Sequence, residues 1–171
     1  MNNKTRMLVL SALFSALAVI SLFFASIWPS GQLGFAAVSS LFVAASVIES
    51  GVNYGIYVYV ISAVIGMLLP DKAAPLLYTA FFGYYPVFKS LIERIKHAFF
   101  QWTLKLIVFN TALTLILCLI KVLTFDFSYI LPALWVLYPF GNVVFILFDY
   151  GYTKIIRLYI SSISRYINKR K

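Results

Sequence analysis

The side chains with the most capacity for chemistry in this chain are five carboxylates and one histidine. They are Glu49, Asp71, Glu93, His97, Asp126 and Asp149. A proton pump or an intramembrane hydrolase needs at least one such group in the middle of an apolar segment. All the carboxylates lie instead at predicted helix ends, where solvation costs little. The pattern therefore argues against both activities.

A metal centre or a nucleophilic site is not indicated either. His97 has no second histidine or cysteine at ligand spacing, and Cys118 is the single cysteine of the chain. The sequence contains no G-x-S-x-G, no H-E-x-x-H and no glycine-rich phosphate loop. We predict that the chain is not an enzyme and has neither a catalytic residue, a metal nor a cofactor.

The composition indicates that lipid is the solvent of most side chains. Hydrophobic residues make up 63% of the chain and charged residues 11%, with a mean hydropathy of +0.94. In soluble domains roughly a quarter of the residues are charged. The net charge of +9 would suit nucleic acid, but the basic residues flank apolar segments instead of forming a stripe. We expect a bilayer-embedded protein that does not bind nucleic acid.

The apolar segments predict an all-α, polytopic membrane protein with a bundle of six transmembrane helices. A spanning helix needs about 20 apolar residues, and spans of roughly 17 occur. Glycine and proline interrupt the segments at 29–34, at Gly51 and at Pro70, and Pro139 predicts a kink in the last span. The predicted helices are 7–28, 35–49, 52–69, 75–88, 99–123 and 129–149, in a domain of residues 1–152.

The distribution of Lys and Arg orients this bundle. If both termini are cytoplasmic, eleven of the fourteen basic residues lie on the inner side and only Lys72 lies in an outer loop. Merging the second and third helices would move the basic loop 89–97 to the outside. We therefore predict a multi-pass protein of the cell membrane, with a bacterial plasma membrane as the expected location.

Residues 153–171 form a basic tail that is too polar to span. Its apolar residues recur at helical spacing and Lys154 and Arg157 lie on the opposite face, which predicts an amphipathic helix. Anionic lipid attracts such a basic face, so we expect the helix to lie at the cytoplasmic interface. Docking of a cytoplasmic partner is the alternative.

Uncharged polar residues lie within two of the predicted spans. Asn110, Thr114 and Asn142 must each find a hydrogen-bond partner from protein, water or ligand. Two lysines, Lys105 and Lys121, lie near the ends of the fifth span, where long stems can reach the headgroups. We expect this for Lys105.

Aromatic and charged groups gather towards the predicted outer surface. They are Trp28, Tyr78, Lys121, Asp126, Tyr129, Trp135 and Tyr138. An interfacial aromatic belt explains the rings as well as a binding pocket does. Lys121 needs a partner, either Asp126 or an anionic group of a ligand.

Small residues provide two candidate packing stripes. Ser11 and Ser15 with Ala12 and Ala16 give overlapping small-xxx-small steps in the first helix. The third helix has a second stripe at Gly51, Gly55, Ser62 and Gly66. Packing within the bundle is sufficient to account for either stripe.

Three features together resemble the substrate-binding S components of energy-coupling factor transporters. They are the six-helix, both-ends-in layout, the first-helix sequence from Arg6 to Leu17 and the glycine-containing reversal from Glu49 to Gly55. The likeness covers most of the chain in layout. It implies a substrate-binding subunit of an importer of a small, vitamin-like molecule.

The resemblance also implies partners and residue roles. Ala12 and Ala16 match the family's motif for docking on a transmembrane coupling subunit, and separate ATPase subunits would supply energy. The ligand would lie near the outer face, which gives the candidate substrate-binding residues Tyr78, Lys121, Asp126, Tyr129 and Asn142. No segment matches a known vitamin signature, so the ligand stays open.

Two other classes fit the same layout. A structural or scaffold protein of envelope assembly, MreD-like in length and topology, is the main alternative. A membrane-embedded enzyme is the least favoured, because the chain lacks the residues described above.

Overall fold

The computed structural model describes the backbone of residues 2–124 and 131–168, and the side chains of residues 2–118 and 135–162. Every regular element in these ranges is helical, which confirms the predicted all-α class. Three described helices are long and apolar enough to cross a membrane, and Val52–Gly66 is a shorter apolar helix. The three are Asn3–Ile27, Pro29–Ser50 and Ala98–Cys118. These are the properties of an all-α membrane protein.

The helices of the described ranges follow the predicted segments with differences at the fourth and the last. They are α1 (Asn3–Ile27), α2 (Gln32–Ser50), α3 (Val52–Gly66), α4 (Ala73–Leu77), α5 (Tyr85–Ile92), α6 (Ala98–Thr124) and α7 (Leu131–Asn168). A 3-10 turn, Pro29–Gly31, joins α1 to α2. A π-helical segment, Tyr78–Phe82, follows α4.

The break between α2 and α3 consists of one residue. Gly51 has φ of 98°, a left-handed conformation that side chains rarely adopt, and its N–H donates to the Val47 carbonyl at 3.0 Å. The structure therefore ends α2 at Ser50 and begins α3 at Val52, within the segment 49–54 where the sequence predicted a reversal. The φ of Gly51 explains why this residue is glycine.

The segment predicted as one helix over 75–88 is divided in the structure. The N–H of Gly83 donates to the carbonyl of Tyr78 at 2.6 Å, an i to i−5 hydrogen bond that widens the helix. Pro86 lacks an N–H for a continuous helix but suits the first turn of a new one. The second half of the segment therefore restarts as α5.

The last helix is continuous where the sequence predicted a span over 129–149 and a separate tail over 153–171. One helix of 38 residues, α7, runs through Pro139 and Gly151. A single glycine costs a helix about 1 kcal/mol relative to alanine, which is insufficient to end it without a proline or a cap. The tail is thus the continuation of the last helix as far as Asn168.

The chain forms two compact units, Met1–Lys105 and Leu106–Lys171. In the first, α1, α2 and α3 contact one another, and Leu22, Val43, Val58 and Tyr78 belong to a fully buried core. Serines occupy the helix contacts: Ser39 donates to the Ala18 carbonyl at 3.0 Å. Small side chains allow the close approach that membrane helices need in order to pack.

In the second unit α6 and α7 pack through aromatic and small residues. The rings of Phe109 and Phe145 stack with centroids 4.6 Å apart. Gly141 lies against Phe109 and Leu113, so that the α7 backbone approaches the aromatic side of α6.

Candidate functional site

The two faces of the first-helix motif have different environments. Ser11 and Ser15 are buried, and the Ser11 hydroxyl lies 3.5 Å from that of Ser46 on α2. Ala12 and Ala16 are exposed. The serine face therefore holds α1 inside the unit, and the predicted docking pair lies on its outer surface.

The stripe of the third helix, in contrast, is used inside the unit. Gly55, Ser62 and Gly66 are buried. A methyl group on Gly55 would overlap the Val47 side chain, and one on Gly66 would lie 3.0 Å from the Leu22 side chain. Intramolecular packing accounts for these three residues, whereas Gly51, the first of the stripe, is exposed.

Tyr78, predicted to bind substrate, lies in the core of the first unit. Its side chain is 0% exposed, and its hydroxyl is 2.6 Å from the Ser62 hydroxyl. The Tyr59 ring lies against it with centroids 6.1 Å apart, and Tyr59 donates to the Thr79 carbonyl at 3.0 Å. Protein groups therefore surround the ring and bind the hydroxyl of Tyr78.

The lack of a side chain at Gly83 permits this arrangement. A methyl group there would lie 2.6 Å from the Tyr59 ring and 2.8 Å from the Tyr78 ring. The π-helical segment thus begins at Tyr78 and ends beside the glycine on which the two rings pack. π-helical segments are rare in proteins as a whole, and many of those that occur lie at functional sites.

Asn142, the second described substrate-binding candidate, forms a reciprocal amide pair in the second unit. Asn110 donates to the Asn142 side-chain oxygen at 2.8 Å, and Asn142 donates to the Asn110 oxygen at 3.1 Å. Each amide also donates to a carbonyl in its own helix, that of Leu106 or Tyr138. The hydrogen-bond partner that each of these amides needs is therefore another protein group.

A second polar contact adjoins the amide pair. The Thr114 hydroxyl donates to the Asn110 carbonyl at 2.7 Å and lies 2.8 Å from the Tyr138 hydroxyl. Asn110, Thr114, Tyr138 and Asn142 thus join α6 to α7 by a continuous set of hydrogen bonds.

The other three predicted substrate-binding residues, Lys121, Asp126 and Tyr129, lie outside the residues whose side chains the structure describes. Of the two that are described, Tyr78 belongs to the first unit and Asn142 to the second. The role of all five in binding a ligand stays a prediction.

An ion cluster that the sequence did not predict lies in the first unit. The ammonium groups of Lys89 and Lys105 lie 2.7 and 3.0 Å from the same carboxylate oxygen of Glu93. Both lysines are buried, at 2% and 4% exposure, and Lys105 also lies over the Trp102 ring. Lys105 therefore differs from the expectation that its stem extends to the headgroups.

No family model matches the chain, and neither a curated protein nor a solved structure shows a significant similarity to it.

Proposed function

We propose that the chain is the substrate-binding membrane subunit of a small-molecule importer whose ATPase subunits are separate proteins. The observation that carries the proposal is the exposure of Ala12 and Ala16 on the outer face of α1. Other small residues of the first unit, such as Ser15 and Ser62, are buried. An exposed small-residue pair on an apolar helix allows a second membrane helix to approach its backbone closely.

The apolar surroundings of this pair support a partner that is itself embedded in lipid. Leu8, Leu13 and Leu17 are exposed at 56%, 55% and 36% on the same helix. A coupling subunit that inserts in the membrane would cover such a surface without having to desolvate a charge. This agrees with the sequence resemblance, in which Ala12 and Ala16 match the docking motif.

The docking step is tested by copurification of the chain from its native membrane. Ala12→Leu and Ala16→Leu should each remove a membrane subunit and an ATPase pair from the complex, because the larger side chains prevent close helix approach. Val64→Leu is the matched control, since Val64 is exposed at 60% on the apolar helix α3. A complex that survives both Ala12→Leu and Ala16→Leu would overturn the docking assignment.

The substrate step is tested by mass spectrometry of molecules retained by the gently purified protein. We expect the unsubstituted protein to retain a vitamin-sized ligand. The Lys121→Met and Asn142→Leu variants should remain folded but retain none. If the protein retains no ligand after it is mixed with a cell extract that supports growth, the transport proposal is contradicted.

A scaffold role in envelope assembly is the second candidate, and one observation favours it. The polar groups of Tyr78 and Asn142 are bonded to Ser62 and Asn110, so these side chains have a stabilising role that needs no ligand. Deletion of a scaffold should alter cell shape whatever nutrients are supplied. The growth defect caused by deletion of an importer subunit should instead disappear when its nutrient is supplied in excess.

A further inference from the structure

A groove of about 400 Å³ opens at the end of the first unit where α2 passes into α3. It is lined by residues 50–54 together with Leu91 and Arg94. The positive-inside pattern places both segments on the cytoplasmic side. Within the first unit, neither Tyr78 nor the exposed pair Ala12 and Ala16 lines this groove.

The first wall of the groove is the start of α3. The helix begins at Val52 without a side-chain cap, and its first backbone hydrogen bond is donated by Gly55 to Gly51 at 3.1 Å. The N–H groups of Val52, Asn53 and Tyr54 therefore have no acceptor within the helix. Such a helix start attracts anions through these donors and through the helix dipole.

The second wall is Ser50, whose hydroxyl has no hydrogen-bond partner in the part of the chain that the structure describes. The Ser50 oxygen is buried and makes no hydrogen bond to the residues that the structure describes. Buried hydroxyls are nearly always bonded, so an orphan one that lines a groove indicates a missing acceptor or donor.

The third contribution is the guanidinium of Arg94. It is exposed, and neither a hydrogen bond nor an ion pair engages it within the described ranges. The adjacent carboxylate, Glu93, is bound to Lys89 and Lys105. Glu49 precedes the groove in sequence but is not among the residues that line it.

We propose that this groove binds a phosphate group. Phosphate oxygens would accept hydrogen bonds from the N–H groups at the start of α3 and from Ser50. Arg94 would bind two of the oxygens in the bidentate manner that suits a guanidinium. Leu91, exposed at 43%, provides an apolar border beside the charged end. The phosphate is either the headgroup of an anionic inner-leaflet lipid or that of a soluble compound.

Native mass spectrometry of the protein released from nanodiscs tests the site. The discs contain phosphatidylcholine with or without phosphatidylglycerol, and the readout is the fraction of protein that retains phosphatidylglycerol. Arg94→Gln should lower retention about tenfold through loss of a bidentate, charge-assisted contact. Arg94→Lys, which keeps the charge but not the fork, should retain an intermediate amount.

Lys96→Gln is the matched control, because Lys96 is an exposed cation two residues away and does not line the groove. It should retain phosphatidylglycerol as the unsubstituted protein does. Equal losses for Lys96→Gln and Arg94→Gln would overturn the proposal, because they would show general attraction of anionic lipid. Unchanged retention in Arg94→Gln would also overturn it.

Ser50→Ala separates binding from packing. The substitution should reduce retention severalfold while the melting temperature in pure phosphatidylcholine does not fall, since the hydroxyl has no partner to lose among the described residues. Wild-type retention would overturn the proposed site. Millimolar inorganic phosphate that displaces the lipid would identify a soluble compound as the source, and resistance to it would identify the lipid headgroup.

Discussion

The side chains of Lys89 and Lys105 illustrate what sequence and structure each decide about a single residue. The count of basic residues predicts on which side of the membrane a lysine lies, but it does not decide whether the ammonium group reaches water. Both groups are buried against one oxygen of Glu93. The i, i+4 spacing of Lys89 and Glu93 was a usable signal, whereas Lys105 joins them only through the packing of α6.

Removing the shared carboxylate should destabilise the protein. Glu93→Gln leaves two buried ammonium groups without this counter-charge. Breaking a fully buried ion pair costs about 3–5 kcal/mol, and we expect about 1–3 kcal/mol because Glu93 is 40% exposed. The measurement is a thermal melt in detergent, with Lys96→Gln as the control for a lost surface charge. Equal melting temperatures for Glu93→Gln and the unsubstituted protein would show that the cluster contributes nothing to stability.

The reciprocal amide pair predicts non-additive substitutions. Asn110→Leu or Asn142→Leu alone should cost about 1–2 kcal/mol, because each leaves one polar amide without its partner. The double substitution should cost less than the sum of the two, and a double-mutant cycle measures the difference. If Asn142 also binds substrate, ligand retention will be lost in Asn142→Leu and will not return in the double variant. Strictly additive losses would contradict the pairing.

At the level of the helix, the sequence predicted the elements that glycine and proline delimit. The breaks near Pro29, Gly51 and Pro70 all occur in the structure as ends of helices. The π-helical segment was not predictable, because the Gly83 to Tyr78 hydrogen bond depends on how Tyr59 packs. The continuity of α7 was not predicted, because the tail was separated from the last span on its polarity, and polarity does not end a helix that has no proline or cap at that point.

Two alanine substitutions test these helix assignments with opposite signs. Gly83→Ala should destabilise by about 1–3 kcal/mol, because its methyl group overlaps the Tyr59 and Tyr78 rings. Gly151→Ala should stabilise by about 0.5–1 kcal/mol if α7 is continuous there, through the higher helix propensity of alanine. Thermal melts in one detergent measure both. A stabilising Gly83→Ala or a destabilising Gly151→Ala would contradict the respective assignment.

For the whole molecule, composition was sufficient to predict the class, and charge asymmetry was sufficient to propose a topology. The structure bears out an all-α membrane protein with three helices of spanning length in the described residues. The candidate site was less accessible to prediction. Sequence patterns identify polar residues that need partners, but the packing of Ser62 on Tyr78 and of Asn110 on Asn142 decides which partner each receives.

Cysteine accessibility tests the proposed six-span, both-ends-in topology. In a Cys118→Ser background, Ser30→Cys and Ala73→Cys should react with a membrane-impermeant maleimide in intact cells. His97→Cys should react only after the membrane is opened. All three positions are exposed, so protein burial does not limit the reaction. Labelling of His97→Cys and Ala73→Cys from the same side would exclude a single crossing between them.

The continuity of α7 has a mechanical consequence. Its 38 residues extend about 57 Å at 1.5 Å per residue, whereas a bilayer core is about 30 Å thick. If the first half of α7 crosses the membrane, Lys154 and Arg157 lie on the same stiff rod as Asn142. When the bilayer becomes thinner than the apolar part of a spanning helix, the helix can tilt to keep that part in lipid. Because the helix is continuous, its basic end would move together with the spanning half, so that the position of Lys154 and Arg157 would change with membrane thickness.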